Sequence, residues 1–500
     1  MDRHQTALRI ALSALILGVL GDALLRYIPF GMNAVLWTAA FIGAAFYTSR
    51  RHGEEERPLP PISVFAAVCA AIAAFGLVWR DSEMLNVVDV LLLLIFLPML
   101  ALGARGVRVH AAGLAELAGA HLYTCLQAVA GVPQLLGLDL SWQRAPRGGG
   151  VRNATVFARG AVLAAPPLLL FGSLLSSADD NFARIMREVF VFDFGELVLH
   201  VIATTIIAAI CAGFLRSFAL SGAMPSVARP TFLRIPVAEA NIALALINTL
   251  FAVFVGVQFR YFFGAAPATL AEHARSGFFE LVAVVALVVP MLLAVEWLTD
   301  KSRGVSVFRQ MAAVQIALVF VIAASAFLRM QLYRDAFGLT EQRVYATAFM
   351  LWLAVVLLWF AATVLTGRRN RFAVGALVSG MATVVVLHAI NPDAMIVHTN
   401  LERAVAGIHE FDPMYAARLS DDAAEVILAN REMFSDVAFE RFRLRPRPLG
   451  WRTWNLSRAR AVRAIQRYES KATPPMRPGR VEGSTRESSS SRRLEISRNR

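Results

Sequence analysis

The chain has 500 residues, of which 57% are hydrophobic and only 17% are charged, and this balance excludes an ordinary soluble domain. The net charge of +13 arises in residues 441–500 alone, which hold 17 Lys and Arg against 4 Asp and Glu, whereas the first 440 residues hold 32 of each sign. The high isoelectric point therefore gives no support to nucleic-acid binding, and we predict no nucleic-acid partner.

Apolar blocks of about 17–25 residues follow one another along the chain, which is the length that a membrane-spanning helix needs. Barrel strands are shorter, at roughly 10 residues, and alternate in polarity. We therefore predict an all-α fold, a polytopic transmembrane helical bundle of about eleven spans, with a small helical region outside the membrane at the C-terminal end. The predicted spans cover residues 7–25, 31–48, 62–80, 85–104, 156–176, 196–216, 237–259, 279–298, 309–328, 344–366 and 372–391.

The stretch 111–136 is apolar enough to resemble a further span. A spanning helix there would separate Arg105 and Arg108 from Arg144, whereas cationic loops are retained together in the cytoplasm. We therefore predict an interfacial or re-entrant helix on the cytoplasmic face. The predicted organisation is an N-terminal four-helix membrane segment at 1–104, a cytoplasmic linker with this helix at 105–155, a seven-helix membrane segment at 156–391, an extracytoplasmic small helical region at 392–470 and a disordered basic tail at 471–500.

With eleven spans, the positive charges fall mostly on one side of the membrane. If the N-terminus is cytoplasmic, the inner segments carry 19 Lys and Arg and the outer loops carry nine. Loops on the cytoplasmic side of membrane proteins are enriched in positive charge. We therefore predict a cytoplasmic N-terminus and an extracytoplasmic C-terminus.

No motif with a known chemical mechanism occurs in the sequence. It has no Gly-rich phosphate loop, no dinucleotide fingerprint, no His-Glu-x-x-His zinc motif and no Gly-x-Ser-x-Gly elbow. The cysteines Cys69, Cys125 and Cys211 lie in or beside apolar segments without metal-ligand spacing. We predict no cofactor, no metal site and no catalytic residue. Enzymatic activity stays open, with its absence favoured.

Ionisable residues inside apolar spans are costly, and they therefore carry information. Asp22, His200 and Glu239 are the candidate intramembrane polar residues. Hydrogen bonding between packed helices is the simpler interpretation of these residues. A polar path for a substrate or for protons is the alternative.

Three charge-rich turns fall on the predicted outer face, around residues 258–281, 329–343 and 391–403. Arginine mixed with aromatic residues at a water boundary is typical of the interfacial belt of membrane proteins. These turns also carry carboxylates, so paired charges from adjacent turns would form one outward-facing polar site. The candidate outer-face site consists of Arg260, Arg275, Glu280, Arg334, Asp335, Glu341, Arg343 and Asp393.

Several motifs in the second half of the chain occur in a recognisable order. They are Ala274–Leu281, Tyr333–Glu341, Asn391-Pro392-Asp393, Leu419–Ala423 and Trp451–Arg458. In these motifs the chain resembles a bacterial membrane family known as the domain of unknown function 4153/4173 group, over roughly residues 60–470. The resemblance implies a polytopic envelope protein of the bacterial cytoplasmic (inner) membrane, and it supplies no catalytic residue.

Three functions fit this pattern, and the lipid bilayer is a partner in each. The first is a non-enzymatic envelope protein that binds a ligand, a lipid or a protein partner at its outer face, with a cationic helix at 455–468 meeting anionic lipid headgroups. The second is a transporter or flippase, for which inverted repeats and broken helices are typical. The third is a membrane-embedded transferase acting on a lipid-linked substrate, with Asp335, Glu341 or Asp393 as acid, base or metal ligand.

Overall fold

A computed structural model describes residues 3–49, 60–104, 114–140, 194–220, 234–264, 278–299, 305–408 and 410–472, with isolated positions between 164 and 184. Over these residues the chain is helical, and the β-structure is limited to one isolated bridge between Ile235 and Thr299. Nine of the described helices are long and apolar enough to cross a membrane. The predicted all-α polytopic bundle is confirmed.

The long helices follow the predicted spans closely, because each apolar block is bounded by charged or turn-forming residues. The second helix forms where a span is predicted but is not among the nine, and the predicted span at 156–176 lies outside the continuously described residues. The long helices are α1 (Arg3–Leu25), α2 (Met32–Ser49), α3 (Pro61–Trp79), α4 (Glu83–Ala104), α5 (Leu114–Gln134), α6 (Phe194–Ala219), α7 (Val237–Gly264), α8 (Phe278–Leu298), α9 (Val305–Phe337), α10 (Glu341–Thr363) and α11 (Phe372–Ile390).

Helix α9 differs most from its predicted bounds. The prediction ends at residue 328, whereas the helix continues to Phe337. Arg329, Tyr333 and Arg334 are polar or amphipathic, so the apolar segment ends before the helix does. Their helix propensities do not terminate a helix, and the helix therefore continues past the apolar segment. Much of the segment predicted as a charge-rich outer turn is therefore a helical extension beyond the apolar core.

The long helices form two packed clusters. The first contains α1 to α6, with buried residues such as Leu17, Phe96 and Leu215. The second contains α7 to α10, and α11 contributes to both clusters. Small residues let backbones approach within the first cluster: a Cβ on Gly18 of α1 would lie 2.6 Å from the Thr204 carbonyl oxygen of α6.

A buried carboxylate ties together three helices of the first cluster. Asp139 is the last residue of the π-helical turn that follows α5, and its carboxylate accepts hydrogen bonds from Arg3 Nε at 2.6 Å and Arg216 Nε at 2.5 Å. Arg3 begins α1, and Arg216 is in the last turn of α6. The pairing therefore fixes the ends of α1, α5 and α6 against one another.

A third cluster is formed by the short helices after α11. Asn391 caps the first of them with its side chain, and Pro392 occupies the first helical position, so the predicted turn is a helix start. The sequence prediction missed the helix at Asp436–Arg443. The helices are α12 (Pro392–Val405), α13 (Pro413–Ala416), α14 (Ala424–Ala429), α15 (Asp436–Arg443) and α16 (Leu456–Ala472).

This C-terminal region, residues 392–472, covers one end of both membrane clusters. The Arg452 carbonyl accepts from the Asn33 N–H at 2.8 Å at the start of α2, and the Asn455 side chain donates to the Arg80 carbonyl at 2.7 Å in the turn between α3 and α4. Asn400 accepts from the Leu339 N–H at 2.7 Å between α9 and α10. We call this end of the molecule the covered end.

Candidate functional site

A cavity of about 890 Å³ opens at the covered end, where the first and second clusters meet. Its walls come from the first turns of α4 and α10, the start of α8, the end of α9 and one residue of the C-terminal region. The lining residues are Glu83, Met84, Val87, Phe278, Phe279, Met330, Tyr333, Thr340, Glu341, Gln342, Arg343 and Tyr415. The cavity is therefore assembled from segments that lie more than 300 residues apart in sequence.

The apolar wall of the cavity is open to the side. Met84 is 40% exposed, Val87 is 51% exposed and Phe279 is 57% exposed, although all three belong to candidate membrane spans. On α4 the exposed apolar stripe continues from Val87 to Leu91 and Leu94, one and two turns further on. This wall therefore continues into the apolar surface of a spanning helix, where acyl chains would lie.

The polar wall is held in place by backbone contacts. The Glu341 N–H donates to the Tyr415 hydroxyl at 2.9 Å, which joins the start of α10 to the C-terminal region. Burial raises the pKa of Tyr415, so its phenol is a neutral hydroxyl at neutral pH. A smaller cavity of about 290 Å³ shares Thr340 and Tyr415 with the first one and extends beneath α12.

Arg343 is committed to the turn between α9 and α10. Its Nη1 donates to the carbonyls of Phe337 at 2.8 Å and Gly338 at 2.5 Å. Its guanidinium stacks on the Tyr333 ring, with the carbon 4.2 Å from the ring centroid. Gly338 has a φ of 72°, a conformation that glycine adopts without strain. The arginine thus stabilises this turn through its Nη1 and the face of its guanidinium.

Two of the predicted outer-face residues, Glu341 and Arg343, line the cavity together. The sequence reasoning missed Glu83, which also lines the cavity. Glu83 is in the first turn of α4, where an acidic residue is ordinary because it complements the helix dipole. Only its juxtaposition with Glu341, which sequence spacing does not reveal, distinguishes it.

The other predicted outer-face residues lie elsewhere. Asp335 is exposed, and its carboxylate lies 4.0 Å from Arg403 of α12. Arg334 is half-buried beside it, and Glu280 is exposed in the first turn of α8. The side chains of Arg260 and Arg275 lie outside the described residues.

Asp393 has a structural environment of its own. Its buried carboxylate accepts from the Ser420 N–H at 3.1 Å and from the Ser420 hydroxyl, and burial raises its pKa. It fastens α12 to the segment before α14. The three carboxylates considered for a transferase, Asp335, Glu341 and Asp393, therefore occupy three different environments: an exposed surface, the cavity wall and a buried joint.

Two of the three predicted intramembrane polar residues are partners. The His200 ring of α6 lies 2.5 Å from the Asp22 carboxylate of α1, and Arg26 is within 3.7 Å of the same carboxylate. This contact joins the two helices near the covered end, which fits the simpler interpretation of these residues as hydrogen-bonding groups between packed helices. Glu239 is exposed in the first turn of α7.

A second buried polar pair joins α4 and α11. His388 Nε2 lies 3.0 Å from the Asp89 carboxylate, and both residues are almost fully buried. Gly76 of α3 leaves room for the pair, since a Cβ there would lie 2.4 Å from Asp89 Oδ2 and 2.6 Å from His388 Nε2. Arg80 Nε donates to the His388 carbonyl at 2.7 Å. The pair therefore fits against α3 because Gly76 has no Cβ.

Asp422 is the centre of the contact between the C-terminal region and the first cluster. Its carboxylate accepts from the N–H groups of Asp81 at 2.7 Å and Ser82 at 3.0 Å, and from the Ser457 hydroxyl. Arg80 Nη1 lies 3.4 Å from the same carboxylate. One buried side chain thus satisfies donors from the turn between α3 and α4 and from α16.

Asp81 and Arg458 form an ion pair in the same contact. Arg458 Nε lies 3.1 Å from the Asp81 carboxylate without forming a hydrogen bond to it. Burial outweighs this attraction and raises the pKa of Asp81 to about 7. Arg458 Nη2 also donates to the Phe30 carbonyl at 2.8 Å. Arg458 is buried, so the expectation that it would meet lipid headgroups is wrong.

These features define a multi-pass helical membrane protein with a fitted C-terminal cover. Within the described part of the chain, no cluster of three or more His, Cys, Asp or Glu side chains is arranged to hold a metal ion.

The family model described as domain of unknown function DUF4153 matches residues 64–430. The chain belongs to this family. The match includes both walls of the cavity and the Asp422 carboxylate, but it ends before α16. Neither the curated proteins nor the solved structures contain a match to the chain.

Proposed function

We propose that this protein binds an amphiphilic, lipid-like ligand in the cavity at the covered end, as a non-enzymatic envelope protein of the bacterial cytoplasmic membrane. The observation that carries the proposal is the division of the cavity into a laterally exposed apolar wall and a polar wall bearing Glu83 and Glu341. Its volume of about 890 Å³ falls within the range of small-molecule sites, about 300–1,000 Å³.

The proposed orientation places the covered end outside the cytoplasm, with the N-terminus inside. The two-to-one bias of positive charge in the sequence supports it. The C-terminal region contacts the turns after α1, α3 and α9, which supports the part of the proposal that places these turns and the C-terminal region on one side of the membrane. A ligand would then enter from the outer leaflet.

A second lipid contact is proposed for the outer side of α16. Arg460, Arg463 and Arg467 are exposed on this helix, whereas Arg458 is buried against the first cluster. Basic residues near an anionic membrane surface each contribute about 1 kcal/mol. This contact would hold the cover close to the headgroup layer.

Photo-crosslinking in proteoliposomes tests the cavity proposal. A phosphatidylethanolamine with a diazirine in one acyl chain should label peptides containing Val87 and Phe279 more strongly than peptides from other lipid-exposed helices. The variant Val87→Trp adds bulk at the cavity wall, and we expect it to reduce labelling of the Phe279 peptide. The matched control Leu94→Trp lies on the same exposed stripe but outside the cavity lining, and should leave labelling unchanged. Uniform labelling of all exposed helices contradicts the proposal.

A further inference from the structure

We infer that the ligand headgroup carries an ammonium group and binds between Glu83 and Glu341. This inference rests on the proposed lipid-binding function and specifies its chemistry. The two carboxylates come from the first turns of α4 and α10, and both line one cavity. A cation held by both carboxylates would meet a negative charge from each of them.

The charges on the cavity wall favour a cation over an anion. The lining contains two carboxylates and one guanidinium. That guanidinium, of Arg343, is bonded to two carbonyl oxygens and stacked on Tyr333. The carboxylates of Glu83 and Glu341 therefore outnumber the cationic groups of the lining.

Aromatic side chains near the carboxylates fit the same headgroup. Phe279 is exposed on the cavity wall, and Tyr415 reaches the wall from the C-terminal region. The faces of aromatic rings attract ammonium groups, and carboxylates supply the stronger attraction. The Tyr415 hydroxyl accepts from the Glu341 N–H, and its own hydrogen is free to point toward a phosphate oxygen.

The exposed apolar wall indicates that this ammonium belongs to a lipid and not to a small soluble amine. A free amine would cover little of the apolar surface of Met84 and Val87, whereas acyl chains would cover it. A phospholipid with an ethanolamine headgroup meets both requirements.

The test compares photoactivatable lipids with identical acyl chains and different headgroups. Phosphatidylethanolamine and a diacyl trimethylammonium lipid carry an ammonium group, and phosphatidylglycerol does not. We expect the Val87 and Phe279 peptides to be labelled about tenfold more by the two ammonium lipids, since two partly exposed ion pairs are together worth about one factor of ten. Free ethanolamine at the same concentration should not compete.

Neutral variants separate this inference from general lipid binding. In the double variant Glu83→Gln/Glu341→Gln we expect the headgroup preference to disappear while the acyl chains still label the cavity. The control Glu425→Gln, at an exposed position outside the cavity, should keep the headgroup preference. Equal labelling of the wild-type cavity by all three lipids overturns the inference and leaves the proposed function standing. Competition by free ethanolamine overturns the assignment to a lipid. An absence of cavity labelling by every lipid refutes the proposed function, and the inference with it.

Discussion

Removal of the Asp422 carboxylate should release the C-terminal region from the first cluster. Asp422→Ala takes the acceptor away from the N–H groups of Asp81 and Ser82 and from the Ser457 hydroxyl, and it leaves Arg80 without its carboxylate. A buried donor without a partner costs about 1–3 kcal/mol, and a broken buried ion pair about 3–5 kcal/mol. Because these terms overlap and water can enter, we expect the free energy needed to open this contact to fall by about 3–5 kcal/mol. The equilibrium constant for opening would then rise at least about a hundredfold.

Hydrogen exchange measured by mass spectrometry on the purified full-length protein would show this loss. Amides of α16, whose Ser457 is bonded to Asp422, should exchange at least about a hundredfold faster in Asp422→Ala than in the wild type, because exchange from a locally opened state follows the opening equilibrium. Asp436→Ala is the matched control, since Asp436 is an exposed acid of the same region whose pair with Arg431 is at the surface. If both variants exchange alike, Asp422 does not hold the region in place.

Two further predictions concern Gly76 and Asp81. Gly76→Ala should lower the thermal unfolding midpoint in detergent by several degrees, because the new Cβ would overlap Asp89 and His388 at a cost of about 1–3 kcal/mol. The control Gly43→Ala should not lower the midpoint, because a Cβ at Gly43 has no atom within 4 Å. Equal midpoints for the two variants would refute the close packing around Gly76. The pKa of Asp81 is raised from its ordinary value of 3.8 to about 7 in the folded protein, so between these pH values the folded state binds more protons than the unfolded state. The contribution of Asp81 to stability is therefore complete below this window and is lost as the pH rises through it. Chemical unfolding should therefore show a shallower fall in stability over this window in Asp81→Asn, and an unchanged pH dependence would contradict the raised pKa.

The spanning helices could be predicted because their signal is local. The apolar block that becomes α3 ends at Arg80, and the observed helix ends one residue earlier, at Trp79. The extension of α9 to Phe337 was missed because hydropathy reports where lipid contact ends and not where helical hydrogen bonding ends. The helix α15 was missed for a related reason: it has eight residues, four of them charged, so its apolar period is too short to stand out.

The candidate site was only partly predictable because its pairings are distant in sequence. Glu341 drew attention as a carboxylate in a charge-rich outer segment, whereas Glu83 looked like an ordinary first-turn acid. Asp89 and His388 are 299 residues apart, and each alone reads as a polar residue near a helix end. A single sequence gives the face on which a residue lies but not the helix that faces it. The cavity results from helix packing that the chain does not encode in any one segment.

The contact between Arg458 and the Phe30 carbonyl spans 428 residues, and it has a consequence for how the molecule is made. Ribosomes synthesise the turn after α1 long before they reach α16, so that turn enters the membrane while its permanent partner does not yet exist. During most of translation the backbone groups of this turn must be satisfied by water or by the translocation machinery. This contact can form only after α16 has been synthesised, so a chain truncated before α16 would keep its first turn exposed and recognisable to quality-control proteases.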